Sequence, residues 1–310
     1  MAPETAGDPL GEQQWIRSSL RHLSGRLTGA GHPVSPPTVG RLLRNLDYSL
    51  KVNVKQKEGP AHPDRDPQFQ QISLQAEAFR SMGQAIISVD TKKKELVGDF
   101  KNAGQIWCQD AEQVNVHDFL NDALGRAVPY GIYDLLHNHG CVGVGTSADT
   151  PRFAVEVIAQ WWLQEGSQSF PGATQLLILA DGGGSNGYRL RDWKRQLQEQ
   201  LCDRLGLAVT VCHYPTGCSK WNPIEHRLFN HISINWAGKP LRTWETLLAC
   251  IRGTTTTTGL TVSTFLLEGD YPKGQRVSDA EMAQLNLEQH SVCPSWNYTI
   301  RPRPSATLDA

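Results

Sequence analysis

Two short apolar runs, each closing on an aspartate, constrain the fold of this chain more than any other feature. Ala85-Ile86-Ile87-Ser88-Val89 ends on Asp90, and Leu176-Leu177-Ile178-Leu179-Ala180 ends on Asp181. Compact runs of this kind read as buried strands of a sheet, each with a carboxylate at its exit. Glu95–Phe100, 113–117, 126–133, 141–145 and Leu207–Val211 supply further predicted strands. Between them the apolar period lengthens to that of helices. Residues 150–166 open on Thr-Pro and carry Phe153, Val157, Ile158 and Trp161 on one face, a capped helix start. Helices are also predicted over 69–83, 188–205, 223–236 and, opened by Ser278 and Glu281, over 278–288. The fold class is therefore α/β, a sheet flanked by helices.

The first sixty residues have a different texture. Trp15, Ile16, Leu20, Leu23 and Leu27 fall at helical spacing and predict a helix over 14–28. Ser35 before two prolines, with Val39, Leu42, Leu43 and Leu46, predicts a second. Two short helices, a Gly/Pro turn between them and an extended YSLKVN segment fit a helix-turn-helix with a small wing. A generic helical pair fits equally. This stretch holds eight Lys/Arg against five Asp/Glu, although the whole chain of 310 residues has a net charge of only −1. The Pro-rich KQKEGPAHPDRDPQ (55–68) reads as a linker.

Chemistry is carried by position. Strands that end at one edge of a sheet bring their last residues side by side, and Glu225, on the first turn of a predicted helix, can add a third carboxylate. Such an oxygen set suits Mg²⁺, which keeps several waters and needs few protein ligands; two ions about 4 Å apart would clamp an in-line displacement. The run Gly182-Gly183-Gly184 after Asp181 leaves room for close phosphate approach. Other chemistries lack their signatures: there is no G-x-x-x-x-G-K-[ST] and no C-x-x-C, and Cys212, His213, Cys218 and His226 match no zinc-finger spacing. The remaining aspartates Asp99, Asp118 and Asp149 are not assigned to this edge. With no apolar run of 18 residues and no signal-peptide character, a cytoplasmic address is expected.

Several long strings are more specific. SVDTKKKELVGDFKNAG (88–104), VNVHDF (114–119), PYGIYD (129–134), ADGGGSNGYR (180–189), SKWNPIEHRLF (219–229), WNYTIRP (296–302) and YSLKVNVKQKEGPAHPDRDPQF (48–69) occur in order along nearly the whole chain. Together they resemble the Rhodopirellula-type DDE transposases, insertion-sequence enzymes distantly similar to the mariner superfamily. The resemblance implies a ribonuclease-H-like mixed sheet, with the first Asp leaving the first strand, the second leaving the fourth, and the Glu on a following helix. Carried over, these are Asp90 in SVDTKKKE, Asp181 in ADGGGSN and Glu225 in NPIEH, as catalytic residues and ligands of two Mg²⁺ or Mn²⁺ ions. Cys218 and Pro223 depart from the family pattern without removing a ligand.

The implied activity is metal-dependent DNA strand cleavage and strand transfer. The implied partners are element ends and target DNA, with a homo-oligomer on DNA, no membrane, and a nucleoid-associated bacterial location. Lys92, Lys93, Lys94, Lys220, Arg41 and Arg44 are the candidate DNA contacts. The expected organisation is a helix-turn-helix-like region over 1–60, truncated relative to the family; a linker and short helix over 61–84; the catalytic domain over 85–255; and a C-terminal extension over 256–310. Two alternatives share these residues: a truncated DNA-binding remnant without catalysis, and a ribonuclease-H-like nuclease with another substrate.

Overall fold

The computed structural model describes residues 5–7, 14–16, 18–50 and 62–304. The chain divides into two compact units, Met1–Glu58 and Gly59–Ala310. In the first, strands β1 (Thr5–Gly7) and β2 (Gln14–Ile16) pair antiparallel, and helices α1 (Leu20–Gly29) and α2 (Pro36–Asn45) follow. The helix expected from residue 14 therefore starts at Leu20. Ser19 sets that start, since its hydroxyl accepts the His22 amide at 3.2 Å. Ser35 caps α2 in the same way, with Pro36 and Pro37 in its first turn. Leu23 and Val39 are the buried apolar side chains of the pair, and the buried Gly40 leaves space for Leu20 against α2. Half of the expected YSLKVN wing, residues 51–53, lies outside the described residues.

The second unit is built on one sheet, ordered β10-β11-β8-β7-β3-β5-β6-β9, with the short β4 (Glu95–Val97) paired to β5. Its centre is formed by β3 (Ala85–Thr91), β5 (Gly125–Asp134), β6 (His139–Gly145), β7 (Gln175–Ala180) and β8 (Ala208–His213). From β3 the chain runs antiparallel through β5 to β6, while β7 and β8 lie parallel on the other side of β3. Counted without β4, the order is 3-2-1-4-5, which is the ribonuclease-H-like arrangement. Residues beyond 256 add β9 (Thr261–Leu267) at one edge, and β10 (Leu287–Gln289) with β11 (Asn297–Ile300) at the other.

Both faces of the sheet are covered, which accounts for the near-continuous apolar strands. On one face Ile87, Val89, Ile178 and Val211 join a core with Phe153, Val157, Ile158 and Trp161 of α4 (Pro151–Trp161) and with Trp193. Helix α4 runs through a wider turn, Trp162–Gly166, into the short α5 (Ser167–Ser169); α6 (Arg191–Gln196) likewise widens over Leu197–Asp203. On the opposite face, α3 (Arg65–Ser81) sets Ile72 and Phe79 on Ile86, Leu177 and Leu179. Beside it, Ile224, Leu228 and Phe229, α7 (Asn230–Asn235) and α8 (Trp244–Arg252) cover Val142 and Val144.

Two expected elements differ. Residues 113–117 form no strand; the segment is tied instead to Arg242, which bonds Glu112 and, at 3.0 Å, the Gln113 carbonyl. The helix expected over 278–288 ends early as α9 (Asp279–Ala283), and Leu287 pairs with Ile300 in the sheet. Among the described residues no helix is long and apolar enough to cross a membrane.

Candidate active site

Strand alternation puts Asp90 and Asp181 on one face. Ser88 pairs with Leu179 and Val89 with Ala180 in the parallel β3–β7 ladder, so Asp90 and Asp181 each follow directly on the last pair. Both continue the face of Ile86, Leu177 and Leu179. Across the sheet, Asp90 pairs with Gly131 of β5. A Cβ at Gly131 would stand 2.7 Å from Phe229 Cζ and 2.9 Å from Ile224 Cδ1, so glycine here lets the Glu225 segment settle on the sheet. Glu225 begins a wide helical turn, Glu225–Phe229, that leads into α7.

That segment is pinned to β3 through buried polar groups. The Ser88 hydroxyl donates to Asn222 Oδ1 and accepts the Ile224 amide at 3.2 Å; Asn222 Nδ2 donates to the Val89 carbonyl at 3.3 Å. Asn222-Pro223-Ile224-Glu225 is therefore bonded to the two residues that precede Asp90.

The three carboxyl groups feel one another. Burial, then the charge of Asp181, with smaller contributions from Glu225 and Asp149, pushes Asp90 up to about 8. Burial also raises Asp181, against hydrogen bonds to its Oδ1 from the Gly183 amide (3.1 Å) and Asn186 Nδ2 (3.3 Å). Glu225 is raised by burial, opposed by Lys92. The Thr91 amide donates to Asp90 Oδ1 at 2.7 Å and fixes its rotamer.

Sequence reasoning passed over several neighbours of this edge. The Thr91 hydroxyl donates to Asp149 Oδ1 at 3.1 Å, and Ser185 lies 3.3 Å from it. Asp149 thus stands beside Asp90, whereas Asp99 pairs with Arg242 and Asp118 is exposed. The only signal was its place just ahead of the Thr150 cap of α4. Tyr130 is fully buried; burial and the charges of Asp90, Asp149 and Asp181 hold its phenol well above the ordinary value. Its hydroxyl and Asn186 Oδ1 are two of the buried side-chain atoms that lack a hydrogen-bond partner among the described residues.

The basic candidates separate by exposure. Lys92 is buried at 8% exposure, 3.8 Å from Glu95 and over the Trp236 ring, and burial lowers its pKa. Lys93 and Lys94 are exposed, Lys94 lying 3.6 Å from Asp149. Lys220 is exposed over Trp221, and Arg41 and Arg44 are exposed on α2.

Among the described residues no three His, Cys, Asp or Glu side chains close on a common point as a complete metal cage does. The groups present nonetheless fit a hydrated divalent cation. Every donor is oxygen, the carboxyls are crowded and desolvated, and Asn186 Oδ1 offers an unused acceptor for a coordinated water.

The family described as Rhodopirellula transposase DDE domain matches residues 1–302. Among curated proteins none matches. Solved structures similar to this chain include the Mos1 transposase paired-end complex with left transposon end, at 12% identity and TM-score 0.42, covering 74% of this chain and 64% of that one. The Mos1 mariner paired end complex with Mn is similar at 13% and 0.42, with the same coverages. The Mos1 Strand Transfer Complex is similar at 12% and 0.43, covering 78% of this chain and 71% of that one. The chain thus spans 64% of the length of the first of these proteins.

Proposed function

The chain belongs to the Rhodopirellula transposase DDE family, and from that premise we propose that it is the DNA transposase of an insertion sequence. It would cut DNA at the element's ends and join the freed 3′-hydroxyl to target DNA. What supports this reading is that Asp90 and Asp181 leave adjacent parallel strands on one face, that Glu225 follows directly on the residue bonded to Ser88 of β3, and that burial and the neighbouring carboxylates raise Asp90. Carboxylates desolvated and set against one another gain strongly from a cation.

We assign these three side chains as ligands of two Mg²⁺ or Mn²⁺ ions. Bound there, the ions would polarise the scissile phosphate and activate the attacking water or hydroxyl. The protein's own part is positioning. Thr91 fixes the Asp90 carboxyl, Gly183 and Asn186 fix that of Asp181, and the Ser88–Asn222 clamp holds Glu225 against β3. Gly182 to Gly184 present backbone without side chains, so a phosphodiester can approach closely; Gly184, at φ +66°, adopts a turn that favours glycine. Lys93 and Lys94 place positive charge near that approach. No protein nucleophile is needed, since activated water and then a DNA hydroxyl make the attacks. We further propose that α1 and α2 contact DNA as a helix-turn-helix-like unit, that copies assemble on paired ends, and that the enzyme works at the bacterial nucleoid.

The test is cleavage of duplex carrying the element's ends, with Mg²⁺, by Asp90→Asn, Asp181→Asn and Glu225→Gln. Each should cut at least about 100-fold more slowly, because metal stabilisation of the transition state is worth several kcal/mol. Nicking by Asp181→Asn at the wild-type rate would refute the assignment.

A further inference from the structure

A buried chain of hydrogen bonds runs beneath Asp181 and involves none of the residues assigned above except Asp181 itself. His213, the last residue of β8, pairs with Ala180, and its Nδ1 lies 2.9 Å from the Asp181 main-chain carbonyl. Its Nε2 lies 3.2 Å from the Tyr298 hydroxyl, which in turn lies 2.9 Å from Trp193 Nε1. For a neutral His213 the direction of every bond is forced. A carbonyl only accepts and an indole N–H only donates. His213 must therefore carry its proton on Nδ1, Tyr298 must donate to Nε2, and Trp193 must donate to Tyr298. His213, Trp193 and Tyr298 are all fully or almost fully buried, so no water stands in for a missing partner.

We infer that Trp193, Tyr298 and His213 form a positioning relay that holds the Asp181 backbone, and that β11 is thereby a working part of the metal-binding edge. This rests on the reading of Asp181 as a ligand. The Asp181 carboxylate is oriented from the loop after it, by Gly183 and Asn186. Its main chain is held from β8, and the ring of His213 is set by a tyrosine that reaches it from the C-terminal strand. Loss of the tyrosine hydroxyl would leave the His213 ring anchored at Nδ1 alone, with Nε2 a buried acceptor without its donor, and so loosen its hold on the Asp181 carbonyl. Outer partners that orient metal ligands typically change metal affinity by about 10–100-fold when removed.

The experiment is Mn²⁺ binding to the full chain, read as free Mn²⁺ by electron paramagnetic resonance, with thermal melts alongside. His213→Gln places its amide where Nε2 was and loses the donor to Asp181; His213→Asn places an amide N–H where Nδ1 was and keeps it. Expected are binding about 10-fold or more weaker for His213→Gln and Tyr298→Phe, and within a few-fold of wild type for His213→Asn. Should His213→Gln lose its cooperative melt, Tyr298→Phe, which keeps the volume, carries the test. Wild-type affinity in Tyr298→Phe, or equal weakening of folded His213→Asn and His213→Gln, would overturn the relay. A wild-type chain that binds no Mn²⁺ would instead overturn the ligand assignment beneath it.

Discussion

At the scale of single residues, the candidate ligands were legible because a carboxylate at the exit of a buried strand is a positional signal. Asp90 and Asp181 each follow an apolar run, and Glu225 opens a helical segment. Their neighbours were not legible. Asp149 comes from the loop before α4, Tyr130 from the middle of β5 and His213 from the end of β8, and only the sheet order brings them to one edge. The raised carboxyl of Asp90 has a consequence for stability. Its value moves from about 3.8 to about 8 in the folded protein. Between those values the folded chain binds a proton that the unfolded chain does not, so stability falls as pH rises from about 4 through about 8. In chelator, the wild type should therefore melt lower at pH 8 than at pH 6. Asp90→Asn should be flatter across that window and more stable at pH 8 by at least about 1 kcal/mol, or about 2–4 °C. Added Mn²⁺ should raise the melting temperature of the wild type and leave the variant nearly unmoved. A variant no more stable than wild type at pH 8 without metal would show that Asp90 is not under the repulsion described.

At the scale of elements, the strands with uninterrupted apolar runs and the helices with clear caps were readable, and the polar or short ones were not. Helix α4 follows from Thr150 and Pro151. Strand β10 does not, because Leu287–Gln289 has no pattern of its own and becomes a strand only by pairing with β11. Residues 113–117 alternate as a strand should, but no partner strand is offered and the segment is tied to Arg242 instead. Alternation describes a strand's faces, not its neighbours. The Ser88 clamp shows how one side chain joins two elements. Ser88 is fully buried, donates to Asn222 and accepts from Ile224. Ser88→Ala leaves the Ile224 amide and the Asn222 oxygen short of a buried partner, a cost of about 1–3 kcal/mol. Urea unfolding should show that loss as a lower midpoint with an unchanged slope. Cleavage should fall as well, since Glu225 follows Ile224 directly. A variant unfolding at the wild-type midpoint would mean that the clamp contributes little to either.

At the scale of the whole molecule, the two units divide the charge. The near-neutral total conceals exposed arginines on α2 in one unit and exposed lysines beside the carboxylate edge in the other. If each set meets DNA phosphates, the two should affect different steps. Each phosphate neutralised contributes about 0.9 to the slope of log affinity against log salt, whatever the base sequence. Arg41→Gln with Arg44→Gln should therefore weaken duplex binding and flatten that slope by about 1–2 units. Their cleavage rate at saturating DNA should match the wild type, the expected result where these arginines serve binding alone. Lys93→Gln with Lys94→Gln should also flatten the slope, but should slow cleavage at saturation too, since these side chains follow Asp90 and Lys94 pairs with Asp149. Binding isotherms at several salt concentrations, followed by single-turnover cleavage on the same duplex, separate the two. An unchanged slope in the α2 double variant would make the first unit a helical pair without a phosphate-binding face.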